Sequence, residues 1–96
     1  MLLAGLRGMI TGAGTGIGRA IALEMVREGA DLLITDIDLD SAQRTVGEAQ
    51  ALRSDARVQA AHLDVRDAAE AAQRVEEAAA FLGGLDIAVN NAGVSS

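Results

Sequence analysis

The sequence predicts an α/β fold, a parallel sheet with flanking helices, on three observations. Apolar runs of strand length alternate with segments of helical periodicity, and the connections are short. The stretch Thr11-Gly12-Ala13-Gly14-Thr15-Gly16-Ile17-Gly18 stands where the first strand gives way to the first helix. An acid, Asp36, closes the next apolar run, 18 positions after Gly18. The resulting order is β-α-β-α-β-α-β. Right-handed crossovers put the first two helices on one face and the third on the other, with strand order 3-2-1-4.

Residues 6–10 are assigned to the first strand by their position before the glycine stretch. Their composition is poor, because Arg7 and Gly8 stand where a buried strand favours Val or Ile. This strand is therefore either weak or begins only at Met9. Residues 16–28 form the first helix, with Ile17, Ile21, Leu23, Met25 and Val26 on its apolar face and Gly29 as C-cap. Asp31 leads into Leu32-Leu33-Ile34-Thr35, a continuous run that suits a buried parallel strand and ends at Asp36. Asp38, Asp40 and Ser41 supply capping groups for a second helix over 41–53, weakened by Gly47. Residues 57–63 are the third strand, ending at Asp64-Val65. Asp67 and Glu70 have the spacing of a capping box at the head of a third helix, 68–81, which Gly83-Gly84 stops. Residues 85–89 are the fourth strand, closing on Asn90-Asn91-Ala92-Gly93.

Composition narrows the function classes. The 96 residues suffice for one small domain, 1–96, truncated at its end if the fold is to be a full doubly wound sheet. Half of the residues are hydrophobic, but Phe81 is the only aromatic one and alanine is abundant, so the core is small and stability marginal. With no cysteine and one histidine, thiolate chemistry is excluded and no zinc cluster is evident; no metal site is expected. The net charge of −6 and the lack of an aromatic platform argue against a nucleic-acid partner. No apolar run approaches a membrane span, and residues 1–6 lack the form of a signal peptide. A cytoplasmic protein with neither nucleic-acid nor membrane partners is the expectation. The sequence holds no tyrosine and no lysine.

The glycine stretch carries the chemistry. A helix start offers unpaired N–H groups and the positive end of the helix dipole, which suit a phosphate. Glycines allow the sharp turn and the close approach of a pyrophosphate. Asp36 has the offset of an acid that binds a ribose 2′-hydroxyl, and its charge would repel a 2′-phosphate. Neither Thr15 nor Ile37 is basic, so NAD is preferred over NADP. The other reading of Asp36 is a loop acid or a cap. Asp64 would either accept from an adenine amino group or cap the third helix, a cap for which Asp67 competes. Asn90 to Gly93 are either a turn or a cofactor wall. His62 reads as a structural residue of a buried strand, Arg19 as solvated, and Glu70, Glu76 and Glu77 as an exposed helix face.

Thr11-Gly12-x-x-x-Gly16-Ile17-Gly18, Asp36, Asp64-Val65 and Asn90-Asn91-Ala92-Gly93, in this order and spacing, resemble the short-chain dehydrogenase/reductase family. The resemblance covers almost the whole chain and implies a partial Rossmann-type fold and an oxidoreductase that transfers a hydride between NAD(H) and an alcohol/ketone substrate. It implies that Gly12, Gly16 and Gly18 form the cofactor turn, with Thr15 inside it and Ile17 giving backbone contacts to the pyrophosphate. Asp36 would hold the adenosine ribose, and Asp64 and Val65 would flank the adenine. Asn91, Ala92 and Gly93 would line the cofactor, and Asn90 would brace the sheet. Family members are more than twice as long, and their catalytic serine and Tyr-x-x-x-Lys pair lie after the fourth strand. No residue here matches them, so no catalytic residue is assigned, and the chain as given is expected to be inactive. Two readings stand: the N-terminal cofactor-binding part of such an enzyme, or a non-catalytic NAD-binding or sensing module acting alone or with a partner chain. Under either, the edge of the fourth strand is expected to drive self-association.

Overall fold

The computed structural model describes residues 1–92. Its elements are β1 (Arg7–Thr11), α1 (Gly16–Arg27), β2 (Asp31–Asp36), α2 (Leu39–Leu52), β3 (Val58–His62), α3 (Ala68–Leu82) and β4 (Ile87–Asn90). The strands are parallel in the order β3-β2-β1-β4. No helix among the described residues is long and apolar enough to cross a membrane.

Alternation along the strands builds two cores. Ile10, Leu32 and Ile34 pack with Ala22 and Val26 of α1 and Ala42 and Ala49 of α2. Met9, Leu33 and Ala61 point the other way, where they meet Ala78 of α3. The helices therefore divide between the faces as the crossover rule requires. The helices dock through small residues. In α1 these are Gly18 and Ala22, with Val26 completing the stripe. In α2 they are Ser41, Ala42, Thr45 and Ala49.

Several boundaries and roles differ from the sequence expectation. β1 begins at Arg7, paired with Asp31 of β2, and is a complete strand. Arg7 is tolerated because it sits at the rim, where its side chain reaches the α3–β4 turn. There it pairs with Asp86 at 3.0 Å and donates to the Gly83 carbonyl at 2.9 Å. Gly8 leaves room between strands, since a Cβ would stand 3.1 Å from Leu32 and 3.3 Å from Ile87. α2 starts two residues earlier than expected. Asp38 is its N-cap and receives the Ser41 N–H at 3.3 Å and the Ser41 hydroxyl at 2.9 Å. Gly47 leaves α2 unbroken. Ile17 is not on the docking face of α1; it is 72% exposed, because the buried stripe runs one position round the helix through Gly18.

Arg53, just past α2, fastens that helix to the α1–β2 connection. Its guanidinium donates to the carbonyls of Val26 at 2.7 Å and Ala30 at 3.0 Å and pairs with Asp31 at 2.6 Å. Only 15% of the side chain is exposed. Arg53→Ala removes the guanidinium from a water-poor site; the Val26 carbonyl keeps the Gly29 N–H and Asp31 Oδ1 the Arg57 N–H, but the Ala30 carbonyl loses its side-chain donor, a loss of about 1–3 kcal/mol. Urea unfolding is expected to show that loss as a lowered midpoint with an unchanged slope. An unchanged midpoint would mean that water replaces the guanidinium at no cost.

Candidate functional site

The C-terminal ends of all four strands meet at one edge of the sheet. Between β1 and α1 the chain makes the glycine turn, and three of its glycines, Gly12, Gly14 and Gly18, are required by close contact. A Cβ on Gly12 would stand 3.0 Å from the Ala92 Cα, and φ there is +63°. A Cβ on Gly18 would lie 2.0 Å from the Gly12 carbonyl oxygen. Gly16 differs. Its φ is +59°, but the space where its Cβ would stand is open, so its backbone conformation and not packing calls for glycine. Thr15 is the N-cap of α1 without a side-chain capping bond, and the first turn holds no acid. Its N–H groups and dipole are thus unanswered by the protein's own carboxylates.

Hydrogen bonds from the neighbouring strand ends hold this turn. The Gly14 N–H donates to Asp36 Oδ2 at 2.9 Å, and the Ala13 N–H to the Thr35 carbonyl at 3.0 Å. Asn91 Nδ2 donates to the Gly12 carbonyl at 3.1 Å. The Thr11 hydroxyl donates to Asn90 Oδ1 at 3.1 Å and accepts the Ala92 N–H at 3.2 Å. Asp36 serves a second N–H, that of Asp38, at 2.9 Å. Gly14, which the spacing of the turn leaves as an unassigned position, packs against α2: a Cβ there would stand 2.4 Å from that of Ser41.

A cleft of about 670 Å³ opens along this edge, a size common for cofactor sites. It brings together Gly12, Thr15, Ile17, Asp36, Asp64, Val65, Asn91 and Ala92 of the residues singled out from sequence, and adds Ile37, Leu63 and Arg66. Gly18 is buried beneath it. Gly16 lies on the far side of the turn, in a shallower groove between α1 and α2. Gly93 lies outside the described residues. Arg19 is not simply solvated: it pairs with Glu48 of α2 beside that groove.

At the β3 end, Asp67 is the cap of α3, receiving the Glu70 N–H at 3.0 Å, so Asp64 is free of that duty. Glu70 completes no capping box and belongs to no exposed face. Its side chain is 18% exposed, accepts the Asp64 N–H at 2.7 Å and lies 2.7 Å from His62 Nδ1. His62 is half-exposed rather than buried. The Asp64 N–H and then His62 hold the Glu70 carboxyl below its ordinary range. The Asp64 carboxylate takes a two-point bond from Arg66, at 3.0 Å from Nε and 2.8 Å from Nη2. That bond, with the Arg66 N–H, lowers the Asp64 pKa from 3.8 to about 2.

A parallel sheet whose glycine turn opens a helix, with an acid closing the next strand and a cleft across the strand ends, defines a Rossmann-like dinucleotide-binding fold. The chain belongs to the short chain dehydrogenase family, whose model matches residues 8–96. It is 42% identical over 95 residues to the short chain dehydrogenase/reductase AacuN of Aspergillus aculeatus, covering 98% of this chain and 35% of that one. A crystal structure of a short chain dehydrogenase from Mycobacterium paratuberculosis bound to NAD superposes with a TM-score of 0.88 at 38% identity, covering 100% of this chain and 40% of the other. Another, from Burkholderia cenocepacia J2315 in complex with NADP, gives 0.87 at 37% identity over 94% of this chain and 36% of the other. The chain thus spans well under half the length of these relatives.

Because its folded-state pKa is depressed, the Asp64–Arg66 pair contributes stability above the ordinary 3.8 that is lost as pH falls through about 2. Carbon NMR titration of the Asp64 carboxyl is expected to give a midpoint near 2, returning towards 3.8 in Arg66→Ala. A midpoint near 3.8 in the unaltered chain would show that the pair does not persist in solution.

Proposed function

We propose that this chain is the NAD-binding part of an oxidoreductase that moves a hydride between NAD(H) and a small-molecule alcohol or ketone. The observation that carries the proposal is the glycine turn at the head of α1 facing a cleft rimmed by Asp36 and Asp64. The uncapped first turn of α1, which meets the cleft at Thr15 and Ile17, fits a diphosphate. Asp36 has lone pairs beyond those used by the Gly14 and Asp38 N–H groups, enough to accept ribose hydroxyls. Its charge, with Ile37 beside it, supports NAD over NADP. Arg66, the one arginine among the described residues that line the cleft, is engaged by Asp64. Asp64 and Val65 flank the adenine in this reading, and Asn91 and Ala92, just past β4, line the dinucleotide.

Bound there, the dinucleotide supplies the hydride. This chain's residues bind and orient it and exclude water from one side. Protonating a carbonyl oxygen needs a positioned acid, worth a factor of about 10²–10⁴. The sequence has neither tyrosine nor lysine to serve as one. In this reading the 96 residues bind the cofactor and turn nothing over by themselves.

Calorimetric titration tests this. NAD is expected to bind the chain, NADP more weakly. Asp36→Ala is expected to weaken NAD binding by about tenfold or more, the worth of a hydrogen bond to a charged group. Asp36→Asn keeps a carbonyl oxygen for the Gly14 N–H and is expected to fall between. No binding of either dinucleotide overturns the proposal.

Among the described residues β4 pairs only with β1, and Ile87 on it is 37% exposed. We propose that the chain self-associates through this edge. Sedimentation velocity is expected to show dimers or larger species, and a monodisperse monomer at all concentrations contradicts it.

A further inference from the structure

We infer that the guanidinium of Arg66 is the surface on which the adenine base stacks. This rests on the dinucleotide reading above and adds a residue to it. A flat base needs a flat neighbour, and the cleft has no aromatic residue. Phe81 is the only one in the sequence. It lies at the far end of α3, where Arg57 sits 5.7 Å from its ring centroid. Arg66 lines the cleft beside Val65 and Asp64. Its side chain is 80% exposed, yet the guanidinium is held at two points and the backbone at a third. Nε and Nη2 donate to the two oxygens of Asp64, and the backbone N–H donates to Oδ1 at 3.0 Å.

A two-point bond of this kind uses one edge of the guanidinium and sets its plane by that of the carboxylate. The faces of the plane take no part in the bond. A planar cation of this sort stacks on purines, which an ammonium cannot do. The support beneath it is fixed as well. Glu70 holds the Asp64 N–H at 2.7 Å, so the loop presenting the pair is tied to α3 before any ligand arrives. Little ordering is then left to oppose binding. The half-exposed side chains of Val65 and Ile37 offer aliphatic contact to the rest of the base.

The test is calorimetric titration of the unaltered chain, Arg66→Ala and Arg66→Lys with NAD, NADP, 5′-AMP and nicotinamide mononucleotide, with a thermal melt of each chain. Arg66→Ala is expected to weaken NAD and 5′-AMP alike by about two- to fivefold, the range of an exposed cation–π contact. Arg66→Lys keeps the charge but not the plane, and is expected to recover only part of that loss. Nicotinamide mononucleotide is expected to bind all three chains equally. Full recovery in Arg66→Lys, or a loss confined to NADP, would assign Arg66 a role of charge alone and overturn the inference. Equal affinities in all three chains would remove Arg66 from the site while leaving the dinucleotide reading intact. Failure of the unaltered chain to bind NAD would overturn both.

Discussion

The carbonyl oxygen of Gly12 is the point on which this molecule depends. α1 comes so close to it at Gly18 that no Cβ could be placed between them, and Asn91 at the end of β4 donates to the same oxygen. The first strand, the first helix and the fourth strand therefore meet at one atom. The packing density of a protein interior forbids a small local adjustment here. A side chain at position 18 would lift the head of α1 away from the turn and move the N–H groups of its first turn. Glycine at 12 and 18 is thus a packing requirement, whatever the turn binds.

A second constraint is the use of carboxylates as loop braces. Asp36 holds the Gly14 N–H, Asp38 holds Ser41, Glu70 holds Asp64, Asp67 holds Glu70, and Asp86 holds Arg7. Each brace ties a loop at a strand end to the element beside it. The net charge of −6 looks, from composition, like a solvated acidic surface. Much of it is instead structural. Loops braced in this way are ordered before a ligand binds, which lowers the entropy that binding must overcome. Asp36 shows the limit of the device, because the oxygens that would meet a ribose already fix the glycine turn. A change at that position alters the turn and the ligand contact together.

What could be read from the sequence is what depends on local period and short spacing. The order of elements, the glycine turn, the acid after β2 and the strand order all come from such signals. What could not be read depends on which segments meet in space. Glu70 has the offset of a capping-box residue, but its carboxylate turns to the Asp64 N–H and His62. Arg19 finds Glu48 across the α1–α2 contact, 29 positions away. Arg53 finds carbonyls of the α1–β2 connection. Thr11 joins β1 to the end of β4 through a hydroxyl that no periodicity marks. Ile17 fails for another reason. A periodicity argument turns every apolar residue inward, so it cannot separate a side chain facing the core from one facing a cleft.

The two faces of the sheet are unequally supported, and this divides the candidate site. The face covered by α1 and α2 carries the larger core, with Ile10, Leu32, Ile34 and Val26 fully buried. The face covered by α3 rests on Met9, Leu33, Ala61 and Ala78. Segments with little buried apolar surface open at lower free energy. The glycine turn, whose contacts leave no room for a Cβ at Gly14 or Gly18, stands on the better packed half. The Asp64–Arg66 loop stands on the thinner half, and there the polar braces from Glu70 and Asp67 carry a larger share of its order. The glycine turn is therefore held by packing together with the Asp36 brace, and the Asp64–Arg66 loop chiefly by hydrogen bonds to carboxylates.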